Sequence, residues 1–154
     1  MVLNDNKKIL PDFIVGGVPK SGTTSLGIYL SRHPDIQIKK EECHFFDEHD
    51  VDDIDRYHYF FDDYENSVKI IGERTPSYFY DYEVPNRVKK IVPKVKLIFL
   101  FRNPVDRAYS DYWHHVRWGA ETRPFQKSIY DEKNSFNHND CRHQFVLCLQ
   151  SGKL

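Results

Sequence analysis

The segment Gly17-Val18-Pro19-Lys20-Ser21-Gly22-Thr23-Thr24 constrains this chain more than any other. It follows Phe13-Ile14-Val15-Gly16-Gly17, a short apolar run ended by glycines that reads as a strand buried on both faces. After the loop, Leu26, Tyr29 and Leu30 keep the spacing of one helical face, and the pattern stops at His33-Pro34 because the residue before proline disfavours helix. Strand, glycine loop and helix in this order let backbone N–H groups and a helix N-terminus converge on an anion. A Walker A loop would carry its lysine directly after the second glycine. Here Thr23 holds that place and Lys20 lies two residues before Gly22, which argues against an ordinary ATPase or kinase. Taken alone, the loop is equally well a plain strand-to-helix turn with a solvated lysine.

The rest of the chain alternates strands with helices. Val68-Lys69-Ile70-Ile71-Gly72 predicts a strand leading into Glu73-Arg74-Thr75-Pro76, and Val84 to Val92 predicts a helix closed by Pro93. The apolar run from Val95 to Phe101 suits the middle of a parallel sheet. Asn103 offers an N-cap, Pro104 a first helical residue, and Val105, Ala108, Tyr109, Tyr112 and Val116 one apolar stripe. Between Glu41 and Glu65 acidic residues alternate with aromatics, predicting an irregular loop and then a short aromatic helix. A last helix is expected from Asp140 to Gln150, burying Cys141, Phe145, Cys148 and Leu149. The fold class is therefore α/β, three-layered, with a mainly parallel sheet and a P-loop-like strand-loop-helix, in a single domain over residues 1–154.

Composition narrows the function. A formal net charge of −1 gives no bulk attraction to nucleic acid or to an anionic membrane, so a polyanionic partner must meet a local basic cluster. The three cysteines are odd in number and lack C-x-x-C spacing, so neither a disulfide framework nor a zinc site is expected. With no apolar leader and no run of transmembrane length, the expectation is a cytoplasmic protein, although an upstream anchor of Golgi type is compatible with the sequence.

Two further segments offer chemistry. In Arg102-Asn103-Pro104-Val105-Asp106-Arg107-Ala108-Tyr109-Ser110, residues Asn103, Arg107 and Ser110 fall at i, i+4 and i+7, opposite the apolar stripe. Arg102 and Ser110 could then hold a phosphate, or the arginines could pair with Asp106 and Asp111 on a wet surface. In Lys39-Lys40-Glu41-Glu42-Cys43-His44-Phe45-Phe46-Asp47, Glu42 and His44 point the same way if extended, beside an aromatic wall. Either is a candidate base, Glu41 rivals Glu42, and a solvated acidic loop is the plainer reading.

These motifs resemble the sulfotransferases that use 3′-phosphoadenosine-5′-phosphosulfate (PAPS). Gly-x-Pro-Lys-Ser-Gly-Thr-Thr is similar to the family's 5′-phosphosulfate loop, and R-N-P-x-x-R-x-x-S-x-Y to its 3′-phosphate element. The resemblance implies that Lys20 contacts the leaving phosphate and bridging oxygen, with Ser21, Gly22, Thr23 and Thr24 completing the cradle and Arg102 and Ser110 holding the 3′-phosphate. Glu-x-His-Phe-Phe-Asp resembles the catalytic segment of the heparan sulfate type, implying Glu42 as base with His44 and Asp47 as helpers. Glu73-Arg74-Thr75-Pro76-Ser77-Tyr78-Phe79 is similar to that type's E-K-T-P-x-Y-F, with Arg74 where a lysine lies between donor and acceptor, so Arg74 and Asp47 are expected on the acceptor side.

The implied activity is sulfuryl transfer from PAPS to a hydroxyl or amine of a glycan or small alcohol. No metal is expected, because lysine, arginine and helix-terminal amides supply the positive field. Leu149-Gln150-Ser151-Gly152-Lys153-Leu154 resembles the start of the family's L-x-x-G-x-Y segment, so a fold incomplete at its C-terminus is expected, of open oligomeric state. A P-loop nucleotide kinase and a non-catalytic nucleotide- or glycan-binding module are the competing readings.

Overall fold

Residue pairing along a single parallel sheet sets the architecture of the computed structural model, which describes residues 9–48, 53–64 and 68–135. Its strands are β1 (Phe13–Gly17), β2 (Ile36–Ile38), β3 (Ile70–Arg74) and β4 (Lys96–Leu100), in the spatial order β2-β3-β1-β4. The chain divides into two units, one of Met1–Gly17 with Gly22–Leu100 and the other of Val18–Ser21 with Phe101–Leu154.

The first unit contains the whole described sheet. β1 is buried along its full length, as a central parallel strand should be, and pairs Phe13↔Gly72 and Ile14↔Glu73 with β3 and Gly17↔Leu100 with β4. Alternation sends Phe13 and Val15 to one face, where Ile38 and residues Leu26 and Leu30 of α1 (Thr23–Leu30) join them. Ile14 goes to the other face, into an aromatic core of Phe45, Phe46, Tyr57, Phe61, Tyr64 and Tyr78. Helices α2 (Ile54–Tyr59) and α3 (Val84–Ile91) supply Tyr57, Val84 and Val88 to that core, so helices cover both faces of the sheet. Asp53 caps α2 by accepting from the Arg56 amide at 3.3 Å.

Several expectations need correction. The apolar run 95–101 forms β4 but stands at the end of the described sheet, with Leu97 50 % and Phe99 47 % exposed, because β1 is its one strand neighbour among the described residues. β3 begins two residues later than predicted, where the Lys69 and Ile70 amides bond to the Asp35 carbonyl and set its register. Tyr29 is exposed, and Gly27 takes its place on the buried side of α1 because Arg74 lies against it. β2 was not foreseen.

In the second unit, α4 (Pro104–Arg117) starts as expected: Asn103 Oδ1 accepts from the Val105 amide at 3.0 Å and the Asp106 amide at 3.4 Å. Its buried side differs, however. Arg107, Ala108, Asp111 and Tyr112 are enclosed while Val105 and Tyr109 are exposed. Arg107 therefore does not stand on a wet face; its Nη1 lies 3.8 Å from Asp111 Oδ2, an i,i+4 pair that goes inside together. A further helix, α5 (Phe125–Ser135), packs Phe125 edge-on against Tyr109 and Tyr112. The helix expected at Asp140 to Gln150 lies outside the described residues.

Candidate active site

The strand ends of a parallel sheet are where its binding loops gather, and the ends of β1, β2, β3 and β4 with the segments after them hold the residues singled out in the sequence. Gly17 ends β1 at φ 123°, and a Cβ there would sit 2.2 Å from the Leu100 carbonyl oxygen. Only glycine allows the two strand ends this approach.

The second unit holds the turn Val18–Ser21. The Ser21 amide and hydroxyl both donate to the Val18 carbonyl, and Lys20 is held at φ 66°. Arg102 Nη1 donates to the Lys20 carbonyl at 3.2 Å, joining the lysine of one predicted element to the arginine of the other. Ser110 is half-buried on α4. His114 on the same helix is held below the usual histidine range, by burial first and then by the Lys20 ammonium. In the first unit, Gly22 at φ 98° precedes α1 without a side-chain cap, leaving the first amides of the helix open to an outside acceptor. Thr23 is buried and Thr24 exposed in that first turn.

The first unit also assembles the carboxylate cluster. Arg74, at the end of β3 with a side chain only 6 % exposed, donates from Nη1 to Glu42 Oε1 at 2.7 Å and to Thr24 Oγ1 at 3.4 Å. Its Nη2 donates to the Lys40 carbonyl. Glu42 keeps about a third of its side chain exposed, and its Oε2 lies 3.3 Å from His44 Nε2. The other ring nitrogen of His44 lies 3.1 Å from Asp47 Oδ2 and 3.3 Å from Ser77 Oγ, and that hydroxyl donates to the same Asp47 oxygen. Glu42, His44 and Asp47, neighbours in sequence, and the distant Arg74 thus form one connected chain. Glu41 is exposed. His44 adopts φ 53°, which turns its ring toward Asp47 within a short span.

Beneath the cluster lies a layer that the sequence reading did not single out. Glu73 is fully buried and accepts from Tyr57 Oη at 2.6 Å, Tyr78 Oη at 3.2 Å and Thr75 Oγ1 at 3.3 Å, with the Cys43 thiol as a further donor. Burial pushes its carboxyl up to about 7, against the pull of those donors. Burial likewise raises the Tyr57 and Tyr78 phenols and the Cys43 thiol, with the Glu73 charge as second cause.

The sulfotransferase domain family matches residues 10–152. This chain belongs to the sulfotransferase family. A crystal structure of a sulfotransferase from Alicyclobacillus acidocaldarius superposes with a TM-score of 0.79 at 30% identity, covering 91% of this chain and 64% of that one. Among curated sulfotransferases, the heparan sulfate glucosamine 3-O-sulfotransferase 3A1 of Mus musculus is 37% identical over 141 residues, 88% of this chain and 34% of that protein. The membrane-associated sulfotransferase kil1 of Dictyostelium discoideum is 38% identical over 112 residues, 71% of this chain and 24% of that protein. The human bifunctional heparan sulfate N-deacetylase/N-sulfotransferase 3 is 38% identical over 130 residues, 79% of this chain and 15% of that protein. The chain thus spans between 15% and 34% of the length of these three curated sulfotransferases. Among the described residues no helix is long and apolar enough to cross a membrane.

Proposed function

We propose that the protein carrying this chain transfers a sulfuryl group from PAPS to a hydroxyl or amine of a carbohydrate. The observation that carries the reading is Glu42: a carboxylate open on one side, held by Arg74 at 2.7 Å and backed by His44 at 3.3 Å and Asp47 beyond it. When bound, PAPS supplies the group: the acceptor atom bonds to sulfur, the bond from sulfur to the 5′-phosphate's bridging oxygen breaks, and the nucleotide leaves.

The residues present suit such a donor. In the second unit the Val18–Ser21 turn and the cations Lys20 and Arg102 offer donors of the kind that phosphate groups require, and in the first unit the open amides at the start of α1 offer the same kind. Lys20 would neutralise charge on the leaving oxygen, and Ser21, Thr23 and Thr24 would add hydrogen bonds to the cradle. Arg102 and Ser110 would take the 3′-phosphate. Glu42 would accept the acceptor's proton, with the His44 ring placed to share it and Asp47 fixing the ring's orientation. Arg74, already committed to Glu42 and the Lys40 carbonyl, would set the direction of that carboxylate and limit how the acceptor approaches. The names of two relatives specify heparan sulfate, which supports a glycan acceptor.

The test is transfer of radiolabelled sulfate from PAPS to a glycan panel by the natural gene product. Glu42→Gln should lower kcat by roughly a hundredfold to ten-thousandfold, the usual share of a general base, while Glu41→Gln stays near the parent rate. Loss of transfer in Glu41→Gln alone would overturn the assignment.

A further inference from the structure

The exposed chemistry of Glu42 and His44 rests on a segment with little regular structure, and four consecutive amides of that segment are held by only two hydroxyls. Thr75 Oγ1 accepts from the Cys43 amide at 3.1 Å and the His44 amide at 3.4 Å. Tyr78 Oη accepts from the Phe45 amide at 3.0 Å and the Phe46 amide at 3.3 Å. A hydroxyl has one proton to give and two lone pairs to offer. To receive two amides, each hydroxyl must spend its proton elsewhere, and both spend it on Glu73 Oε2, at 3.3 and 3.2 Å.

We infer that Glu73, Thr75 and Tyr78 act together as positioning residues: Glu73 takes the two hydroxyl protons, and the hydroxyl oxygens thereby grip residues 43–46 and aim Glu42 and His44 at the acceptor. The arrangement is enclosed throughout, with Glu73 and Thr75 fully buried and Tyr78 nearly so. Water therefore cannot substitute for a missing partner at low cost. It also fixes a strained point, since His44 at φ 53° stays in the left-handed region only while its neighbours are held. Tyr57 completes the set from α2 by donating to Glu73 Oε1 and stacking its ring on Phe45, 4.4 Å between centroids. Nothing in this set reaches the reacting atoms; its influence passes through the backbone.

The inference rests on Glu42 being the base, and the experiment separates the two. Thr75→Val and Tyr78→Phe each remove one hydroxyl and little else. In the natural gene product each should lower kcat roughly tenfold to a hundredfold, as expected for a base displaced by a fraction of an ångström to an ångström, with KM for the donor nearly unchanged. In a Glu42→Gln background the same substitutions should change the residual rate less than about twofold, because a residue that acts through Glu42 has nothing left to aim. Glu73→Gln should recover most of the rate lost in Glu73→Leu, since an amide oxygen can still take both hydroxyl protons while its NH2 donates to Tyr57.

If Glu42→Gln itself leaves kcat intact, the reading of the base fails and this inference with it. If Glu42→Gln is impaired but Thr75→Val and Tyr78→Phe lower the rate equally in both backgrounds, the inference alone fails. Hydrogen exchange on the unsubstituted protein tests it without any variant. The Cys43, His44, Phe45 and Phe46 amides should exchange as slowly as those of β1, and rapid exchange would overturn the grip.

Discussion

Glu73 in the first unit and Glu121 in the second are both enclosed carboxylates, supplied with hydrogen bonds in contrasting ways. Glu73 accepts from two phenols, a threonine hydroxyl and a thiol, and burial pushes it up to about 7. Glu121 is gripped by Arg123, from Nε at 2.9 Å and Nη2 at 2.7 Å, and accepts the Thr122 and Arg123 amides at 2.8 Å each. Arg123 holds its carboxyl down to about 2. Neutral donors satisfy a carboxylate's geometry without offsetting the cost of its charge, whereas a bidentate cation does both. The first arrangement suits shaping a backbone; the second suits fastening a turn, here the one leading into α5.

The largest effect that would sharpen this contrast is removal of Glu73. Glu73→Leu leaves three buried hydroxyls without their acceptor and should cost on the order of 3 kcal/mol, read by denaturant unfolding of the natural gene product. Glu73→Gln should cost less than about 1 kcal/mol in the same measurement; equal losses would mean that charge and not acceptor geometry matters there. Next in size, Glu121→Gln gives up a pair whose arginine is half-exposed, and should cost about 1 kcal/mol.

The remaining test is the pH dependence, in which the two signs are opposite. Glu73 is raised from 4.5 to about 7, so its contribution to stability is full below about pH 4.5 and is lost as pH rises through about 7. Glu121 is lowered from 4.5 to about 2, so its contribution is full above about pH 4.5 and is lost as pH falls through about 2. Relative to the parent, Glu73→Gln should therefore gain stability between pH 4.5 and 7, and Glu121→Gln should recover its deficit between pH 4.5 and 2. Parallel stability curves for parent and variants over both intervals would remove the contrast.

Local patterns carried most of the fold. The apolar runs marked β1 and β4, and the Asn103-Pro104 pair marked the start of α4, because each depends on neighbours in the chain. That β4 ends the sheet among the described residues is not legible in the sequence, since an apolar run looks alike at the centre and at an edge. β2 is three residues with Gln37 in the middle, too short to show a period. α5 has a signal of its own in the sequence: Pro124 before it, then Phe125 and Ile129 four apart. The buried side of α4 was misread because an Arg107–Asp111 pair looks solvated until both partners are seen to be enclosed.

At the candidate site, motif order picked out Glu42, His44, Asp47 and Arg74, and their hydrogen-bonded chain is compatible with the roles proposed for them. Glu73 and Tyr78 stand in the segment Glu73–Phe79 without a role attached to them, because spacing does not reveal that both are buried, and Tyr57 reaches Glu73 only through the packing of α2. Periodicity has no means to register a carboxylate meeting a phenol across two elements.

Cys43 stands beside Glu42 with its thiol raised by burial and by the Glu73 charge. Only the thiolate alkylates, so this sulfur should react with a maleimide at neutral pH chiefly in moments when the segment has swung open. Once Cys141 and Cys148 are replaced by serine, the labelling rate becomes a stopwatch for those openings. A donor or acceptor that stills the segment would slow it, reporting occupancy without any turnover.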